Sequence, residues 1–483
     1  MRWILLAACL TGFCHLLSPG HRFEEGFSEE EQIGRHLAHG DGFCTPFDSR
    51  PAAAPTSWCP PVFPAVIAAV YRICGERTPM ALLAIAVFNV FCRAAAAGAL
   101  YLLGRLRFDP AIGVTAAILL LLHPMFLHVV DSLWDNWLAL AMFLWLLVGA
   151  VWLQRNEAAT WLGCALLGAG CGILLMTNTG YVLACPAIVL TPIIHRRGRG
   201  GAQRISRKPF MAIFYFAAAR MSCISRDIKK PPLRSSAFKY EFSWLMAAPR
   251  RPFFALAAAA IGALLVLLPW TIRNEREFHR LFLVRGNAAV ELWLGDQPWS
   301  YGWMSESVLD SHPSRNLVER QRLLEQGETQ YFADCRRRFL TELTNNPRHF
   351  LLLTAARLSE IFVYDTGRSG AFFFSYDSIE RCLINGFVAA TGIAGMWMAW
   401  RLKRGIGLAA TSLLAIGPYL ATQAYNRYAM PLRAMLILYA AYVLVALWRR
   451  IAAAAAPASS PNWGDRQAEW CRREATARHP AAL

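Results

Sequence analysis

Long apolar runs recur along the chain at 3–18, 79–104, 111–130, 136–153, 159–176, 180–194, 252–270, 382–400, 406–422 and 432–448. Runs of this kind, poor in charge, are what the ~30 Å hydrocarbon layer of a bilayer demands of a helix that crosses it. The pattern predicts an all-α polytopic membrane protein with about ten transmembrane helices. The first run ends without a small-x-small cleavage site and is followed by further spans, so it reads as an uncleaved first helix. A shorter apolar piece, 62–74, follows Pro60 and Pro61 and fits an interfacial or re-entrant helix.

The polar stretches between the runs divide the chain. Residues 1–270 form an N-terminal transmembrane module that includes a first polar loop, 19–78, and a basic segment, 195–251. Residues 271–381 are long enough for a smaller, mainly helical domain outside the membrane, with one helix over 319–343. Residues 382–452 return to the membrane. The tail 453–483, rich in Ala, Pro and Ser and then charged, reads as disordered. No internal repeat is evident, which weakens transporter folds built from duplicated halves.

Composition agrees with the pattern. The 483 residues are 56% apolar and only 17% charged, which excludes an ordinary soluble protein of this length. The formal net charge is +17, and the 195–251 segment alone holds fourteen Lys and Arg against two acids. With ten alternating spans this segment falls on the same side as Arg105, Arg107, Arg155, residues 401–404, Arg449 and Arg450. The positive-inside rule makes that side cytoplasmic and leaves 19–78 and 271–381 outside, facing the periplasm if the membrane is a bacterial inner (plasma) membrane. The basic segment reads as a topology anchor that touches anionic membrane lipid. Nucleic acid is not an expected partner, because no helix-turn-helix, zinc finger or stacking motif accompanies the charge. Most of the thirteen cysteines lie in apolar runs as small hydrophobes, and no spacing among them suggests a metal site. Cys44 and Cys59 share one polar loop, where an extracytoplasmic setting would permit a disulfide.

Against this basic background, five glutamates fall within residues 24–31. Ser28 followed by Glu31 is a capping-box pattern ahead of an apolar stripe at Ile33 and Leu37. Glu31 projects away from that stripe and can pair with Arg35 one turn on. Glu29 and Glu30 flank the stripe, so either can point into a site when the helix docks. First-turn acids also complement the helix dipole without any chemistry. Asp131 and Asp135 lie at the outer junction of two spans, on the same side as the glutamates. Ionisable groups at a membrane edge mark substrate paths when they face a cavity. Arg427, with Tyr425 and Tyr428 beside it, breaks the positive-inside pattern and so calls for a partner. Phosphate is the natural one, because a guanidinium grips phosphoryl oxygens bidentately. Arg273, just outside the seventh span, is a second candidate, although either arginine can snorkel to headgroups. Carboxylates and arginines converging on one membrane face suit group transfer from a lipid-linked phosphate donor. A carboxylate would take the acceptor's proton and the cations would stabilise the departing phosphate.

The ordered segments EEEQIGRHLAHGDGFCTPF (29–47), PTSWCPPVFPAVIAAVYRICG (55–75), LWDNWLAL (133–140), LPWTIRN (268–274), GNAAVELWLGD (286–296) and NRYAMPLRAML (426–436) resemble the GT-C membrane glycosyltransferases. The resemblance is to the family 39 group, which includes protein mannosyltransferases and the lipid A aminoarabinose transferase. It implies transfer of a hexosyl- or pentosyl-type sugar from a polyprenyl-phosphate donor to a glycan, lipid or protein acceptor at the outer face. The family's first-loop acid, shortly before an I-A/G-x-x-L helix, falls on Glu29. Members with an Asp-Glu pair slightly earlier would align it with Gly26 and Phe27, which keeps Glu25 and Glu30 as alternatives. The family's second external acid falls on Asp135, and its phosphate-binding arginine, in an R-Y-x-x-P pattern, on Arg427. Some members use a divalent metal, and two carboxylates with phosphate oxygens would suit Mg²⁺ or Mn²⁺. The rival reading from another class is a transporter or flippase of a lipid-linked or anionic substrate, which predicts charge near mid-span.

Overall fold

Helix formation follows local signals that the sequence carries. The computed structural model describes residues 1–17, 27–50, 53–128, 130, 132–155, 160–194, 252–363, 376–402 and 405–455. Their helices, in order, are α1 (Arg2–Leu16), α2 (Glu29–His39), α3 (Val62–Cys74), α4 (Pro79–Arg107), α5 (Pro110–Leu122), α6 (Pro124–His128), α7 (Asn136–Arg155), α8 (Trp161–Thr177) and α9 (Ala184–Ile194). Beyond the basic segment follow α10 (Pro252–Phe278), α11 (Ala288–Gly295), α12 (Glu306–Leu309), α13 (Leu317–Gln326), α14 (Glu328–Asn345), α15 (Pro347–Phe362), α16 (Tyr376–Arg401), α17 (Ile406–Ala421) and α18 (Met430–Ala455). The described residues form no β-strand beyond isolated bridges at Cys44–Pro55 and Trp303–Ala424. Thr78, Asp109 and Thr160 cap α4, α5 and α8 through their side-chain oxygens, and Pro79 and Pro110 sit where a missing N–H costs nothing.

Five described helices are long and apolar enough to cross a bilayer, namely α4, α7, α10, α16 and α18. The multi-pass, all-helical expectation is met. Helices also occupy the other predicted runs, but they are shorter: α1, α5, α8 and α17 are apolar helices of 10–17 residues each. The run 111–130 is not one span. It breaks at His123, because Pro124 has no N–H to continue the ladder and drives the preceding residue out of the helical region. The expected 319–343 helix is likewise two, α13 and α14, joined at Gly327, whose φ of +74° only glycine adopts cheaply. Helix α18 runs to Ala455, past the 453 boundary expected for it. The basic segment, Glu25, Asp131 and residues 456–483 lie outside the described residues.

The membrane core is built from α4, α5, α7 and α18, with Leu100, Leu120, Phe143 and Ile437 fully buried among them. Lipid offers no hydrophobic drive between helices, so close packing must supply it. Where α8 meets α10 the two backbones touch: a Cβ on Gly168 would lie 1.9 Å from the Ala259 carbonyl oxygen. Arg93, fully buried in α4, donates to Ala8 O at 3.1 Å, Thr11 Oγ1 at 3.0 Å and Leu121 O at 2.7 Å. The break before Pro124 leaves the last α5 carbonyls without helical partners. Arg93 satisfies one of them and ties α1, α4 and α5 together.

The helices α11 to α14 pack on the first polar loop, with Val290, Val308, Leu323 and Phe332 in one buried cluster with Phe47 and Trp58. Glu328 accepts from the Thr56 hydroxyl, from Ser57 N at 2.7 Å and from Ser57 Oγ at 2.9 Å. Arg357, fully buried, pairs with Asp296 at 2.7 Å and donates to Leu420 O at 3.1 Å, joining α15, the end of α11 and α17.

Candidate active site

The site is assembled at the start of α2. Ser28 Oγ accepts from Glu31 N at 3.3 Å, the first half of the capping box. The same hydroxyl donates to Leu133 O at 2.9 Å, which docks the helix start onto the segment before α7. That segment is fixed from below by Asn89, whose Nδ2 donates to Val130 O at 3.0 Å and Ser132 O at 2.9 Å. Once docked, Glu30 and Asp135 meet: the main-chain N–H of Asp135 donates to Glu30 Oε2 at 3.1 Å. Both residues are buried, at 4% and 6% exposure. Burial, reinforced by the charge of Asp135, raises the Glu30 pKa well above the usual carboxylate range, against the pull of Arg427. Burial likewise pushes Asp135 up to about 6, opposed by Arg427 and by a hydrogen bond from Asn178. Both shifts favour the protonated carboxyl over the carboxylate, and burial is the first cause of each.

Arg427 reaches this pair from the 3-10 turn Asn426–Ala429. Its guanidinium lies 3.8 Å from the centroid of the Trp134 ring, 4.9 Å from Tyr425 and 5.4 Å from Tyr428. Tyr428 stacks on Tyr419 with centroids 4.2 Å apart, and the Tyr419 hydroxyl donates to Asn178 Oδ1 at 3.2 Å. Asn178 therefore links the tyrosine stack to Asp135. The turn itself is held by pairing of Ala424 with Gly302 and Met304.

Arg285 approaches the same cluster from another direction. The last turns of α10 hold residues 282–284 in place: Asn274 Nδ2 and Trp270 Nε1 both donate to Val284 O, at 2.9 and 3.0 Å. Gly286 N donates to Ser57 O at 2.9 Å. Between these anchors Arg285 pairs with Glu291 at 2.9 Å, and its charge acts on Asp135, Tyr419 and Tyr428.

Glu29 lies at the rim. Its side chain is 14% exposed and faces His312 Nε2 at 3.5 Å. His312 comes from the loop after α12, edge-on to Phe47 and Trp58. Ser314 N donates to its Nδ1 at 3.1 Å, so in the neutral ring the proton sits on Nε2 and points to Glu29.

One sequence expectation is corrected here. Glu31 does not face out to Arg35. It is fully buried, where it accepts from Tyr71 at 2.8 Å and from Arg77 Nη2 at 2.8 Å, while Arg35 pairs with Glu76. The reason is α3, which packs across α2 and encloses the face that an isolated helix would leave in water. Arg273 stands apart from the acid pair. Its guanidinium donates to Thr56 O at 2.7 Å and Phe43 O at 3.2 Å and packs on Phe43, Trp270 and Phe278. These contacts cross-brace the first loop. Cys44 and Cys59 are both buried free thiols. The described residues contain no group of three or more His, Cys, Asp or Glu able to hold a metal.

Arg285, Asn178, Trp134, Tyr419 and His312 were not singled out from the sequence. Asn178, directly after an apolar run, carried the clearest signal.

Residues 59–223, about a third of the chain, match the family model of dolichyl-phosphate-mannose-protein mannosyltransferases. A comparison with curated proteins returned no match. Among solved structures, the fold is that of the archaeal oligosaccharyltransferase AglB from Archaeoglobus fulgidus, solved in complex with an inhibitory peptide and a dolichol-phosphate. The TM-score is 0.50 at 14% identity, covering 96% of this chain and 52% of that one. The apo form of the Archaeoglobus fulgidus oligosaccharyltransferase aligns with a TM-score of 0.49 at 14% identity, over 96% of this chain and 53% of that one. The chain thus spans about half the length of the solved structures it matches. The family model agrees with the family 39 resemblance over residues 59–223, and the likeness to AglB agrees with the all-helical membrane fold. Neither comparison points to a transporter.

Proposed function

We propose that this protein is a membrane glycosyltransferase that moves a sugar, of hexose or pentose type, from a polyprenyl-phosphate donor to an acceptor at the outer membrane face. The observation that carries the reading is the convergence of Glu30, Asp135 and Arg427 at one membrane edge. The matched family's lipid-phosphate donor and the dolichol-phosphate held by AglB support the donor class. The positive-inside pattern supports an outward-facing site, in a bacterial-type inner membrane. The external region 271–381, which brings His312 to Glu29, is where acceptor choice would reside.

The residues divide into two sides. On the donor side, Arg427 is oriented by Trp134, Tyr425 and Tyr428 and binds phosphate oxygens, with Arg285 as a second cation. Burial favours the protonated form of Glu30 and Asp135, and in that form, with no metal bound, a neutral carboxyl would donate to a phosphate oxygen as charge builds there. On the acceptor side, Glu29 is exposed enough to meet an acceptor and is held by His312. It takes the proton from the attacking acceptor hydroxyl or amine. The new bond forms at the anomeric carbon as the bond from that carbon to the phosphate oxygen breaks, and the phosphate leaves with the electron pair.

Two carboxylates are donors that Mg²⁺ or Mn²⁺ accepts when phosphate oxygens complete the shell, so Glu30 and Asp135 are the residues that would hold such an ion. Bound there, it would neutralise charge on the phosphate. The test is transfer of label from a polyprenyl-phosphate sugar in membranes that carry the full chain. Label should pass to an acceptor fraction with wild type and be lost with Asp135→Asn and with Arg427→Ala. Equal transfer by all three, or none by wild type across several donor sugars, contradicts the reading.

A further inference from the structure

A cavity of about 560 Å³ opens between α14 and the segment after α10, and none of the residues lining it belongs to the acid pair. One face of α14 lines it, through Thr329, Ala333, Arg336, Arg337 and Leu340 at helical spacing, while Tyr331, Cys335 and Phe339 on the other face are buried in the domain. Arg280 and Phe282 close the opposite wall. Three guanidinium groups therefore surround one concavity. Arg337 holds Asp334, and among the described residues Arg280 and Arg336 make no ion pair. The basic rim is left with its charge to satisfy.

The floor is apolar and leads to the membrane. Phe332 meets Phe282 edge-on at 6.5 Å, and Phe282 meets Phe278, in the last turn of α10, at 5.9 Å. Beside this row Leu281 and Leu283 are 74% and 57% exposed, and Leu340 is 44% exposed. Large apolar side chains in that state next to the end of a spanning helix belong at the lipid interface, where arginines can reach headgroup phosphates. A soluble anion would explain the arginines but not the aromatic row or the bare leucines.

We propose that this cavity binds the phosphate headgroup of an anionic membrane lipid, with Arg280, Arg336 and Arg337 on the phosphate and the upper acyl chain along Phe282 and Phe332. The site is separate from Glu29, Glu30, Asp135 and Arg427 and does not depend on the transfer reaction.

Native mass spectrometry of the detergent-purified full chain tests it, with equal phosphatidylglycerol and phosphatidylcholine added. Wild type should retain phosphatidylglycerol preferentially. The triple variant Arg280→Gln/Arg336→Gln/Arg337→Gln should lose that preference, by about fivefold for each arginine removed. A control that removes the same charge elsewhere, Arg50→Gln/Arg315→Gln/Arg348→Gln, should keep it. All three arginines of the cavity are exposed, so helical circular dichroism should not change. Absence of preference in wild type, or equal preference in the two triple variants, overturns the site. Inorganic phosphate that binds as tightly as the lipid overturns the lipid assignment.

Discussion

The main-chain N–H of Asp135 donates to the Glu30 carboxylate across 3.1 Å, so the first turn of α2 and the start of α7 are joined through a buried acid. The arrangement is costly in itself. Burial holds Asp135 at about 6 rather than its ordinary 3.8. A carboxyl whose pKa rises on folding binds its proton more tightly in the folded state. Stability therefore falls as pH rises from the unfolded value through the folded one, and the cost is complete above it. Asp135→Asn should raise the thermal midpoint at about pH 7.5, with the gain shrinking towards zero near pH 4. Tryptophan fluorescence melts measure this, and a lower midpoint at the higher pH would contradict it.

Arg427 is placed by three aromatic rings rather than by its backbone alone. Replacing it with Ala removes charge-assisted hydrogen bonds worth roughly 1.5–3 kcal/mol, so the donor KM should rise by about 10- to 100-fold. The acceptor KM should hardly move. Arg427→Lys should restore little, because an ammonium neither forks onto phosphate nor stacks on Trp134 in the same way. Equal changes in both KM values would argue against a phosphate role.

His312 acts through Glu29. With Nδ1 occupied by Ser314 N–H, its Nε2–H is the only ring donor left to face the carboxylate. His312→Ala should lower kcat by about tenfold while the donor KM stays put, and added imidazole should recover part of the loss. A histidine that merely packs against Phe47 and Trp58 would show no such rescue.

The end of α11, α15 and α17 are locked together by Arg357 and Asp296, at 0% and 4% side-chain exposure. Arg357→Met strands Asp296 without its partner and should cost about 3–5 kcal/mol. Arg357→Met/Asp296→Leu should recover much of that in thermal melts, because it removes both charges together. A double variant as weak as the single would show that shape, not charge, dominates there.

Much of the fold was legible because each apolar run is a statement about length and solvent. The errors fell where apolarity continues across a backbone break. Pro124 interrupts the run 111–130 and Gly327 the helix 319–343, and both residues were visible but outvoted by composition. Within the site, Asp135 and Arg427 could be named from their place at span edges. Arg273 has the same chemistry at a similar edge, yet its donors meet the carbonyls of Phe43 and Thr56, which only tertiary folding brings there. Glu31 shows the same limit, since Arg77 and Tyr71 enclose it from a different helix and turn. Asn178, Arg285 and His312 lie far apart in sequence, and no local pattern announces that they share a site.

The sharpest test of the mechanism is single-turnover transfer from a labelled polyprenyl-phosphate sugar by purified Glu29→Gln, with donor binding measured in parallel. A base lost from the acceptor side should reduce the transfer rate by about 10²- to 10⁴-fold while donor affinity is kept. Transfer at the wild-type rate would remove Glu29 from the chemistry and contradict the division of the site into a buried donor side and an open acceptor side.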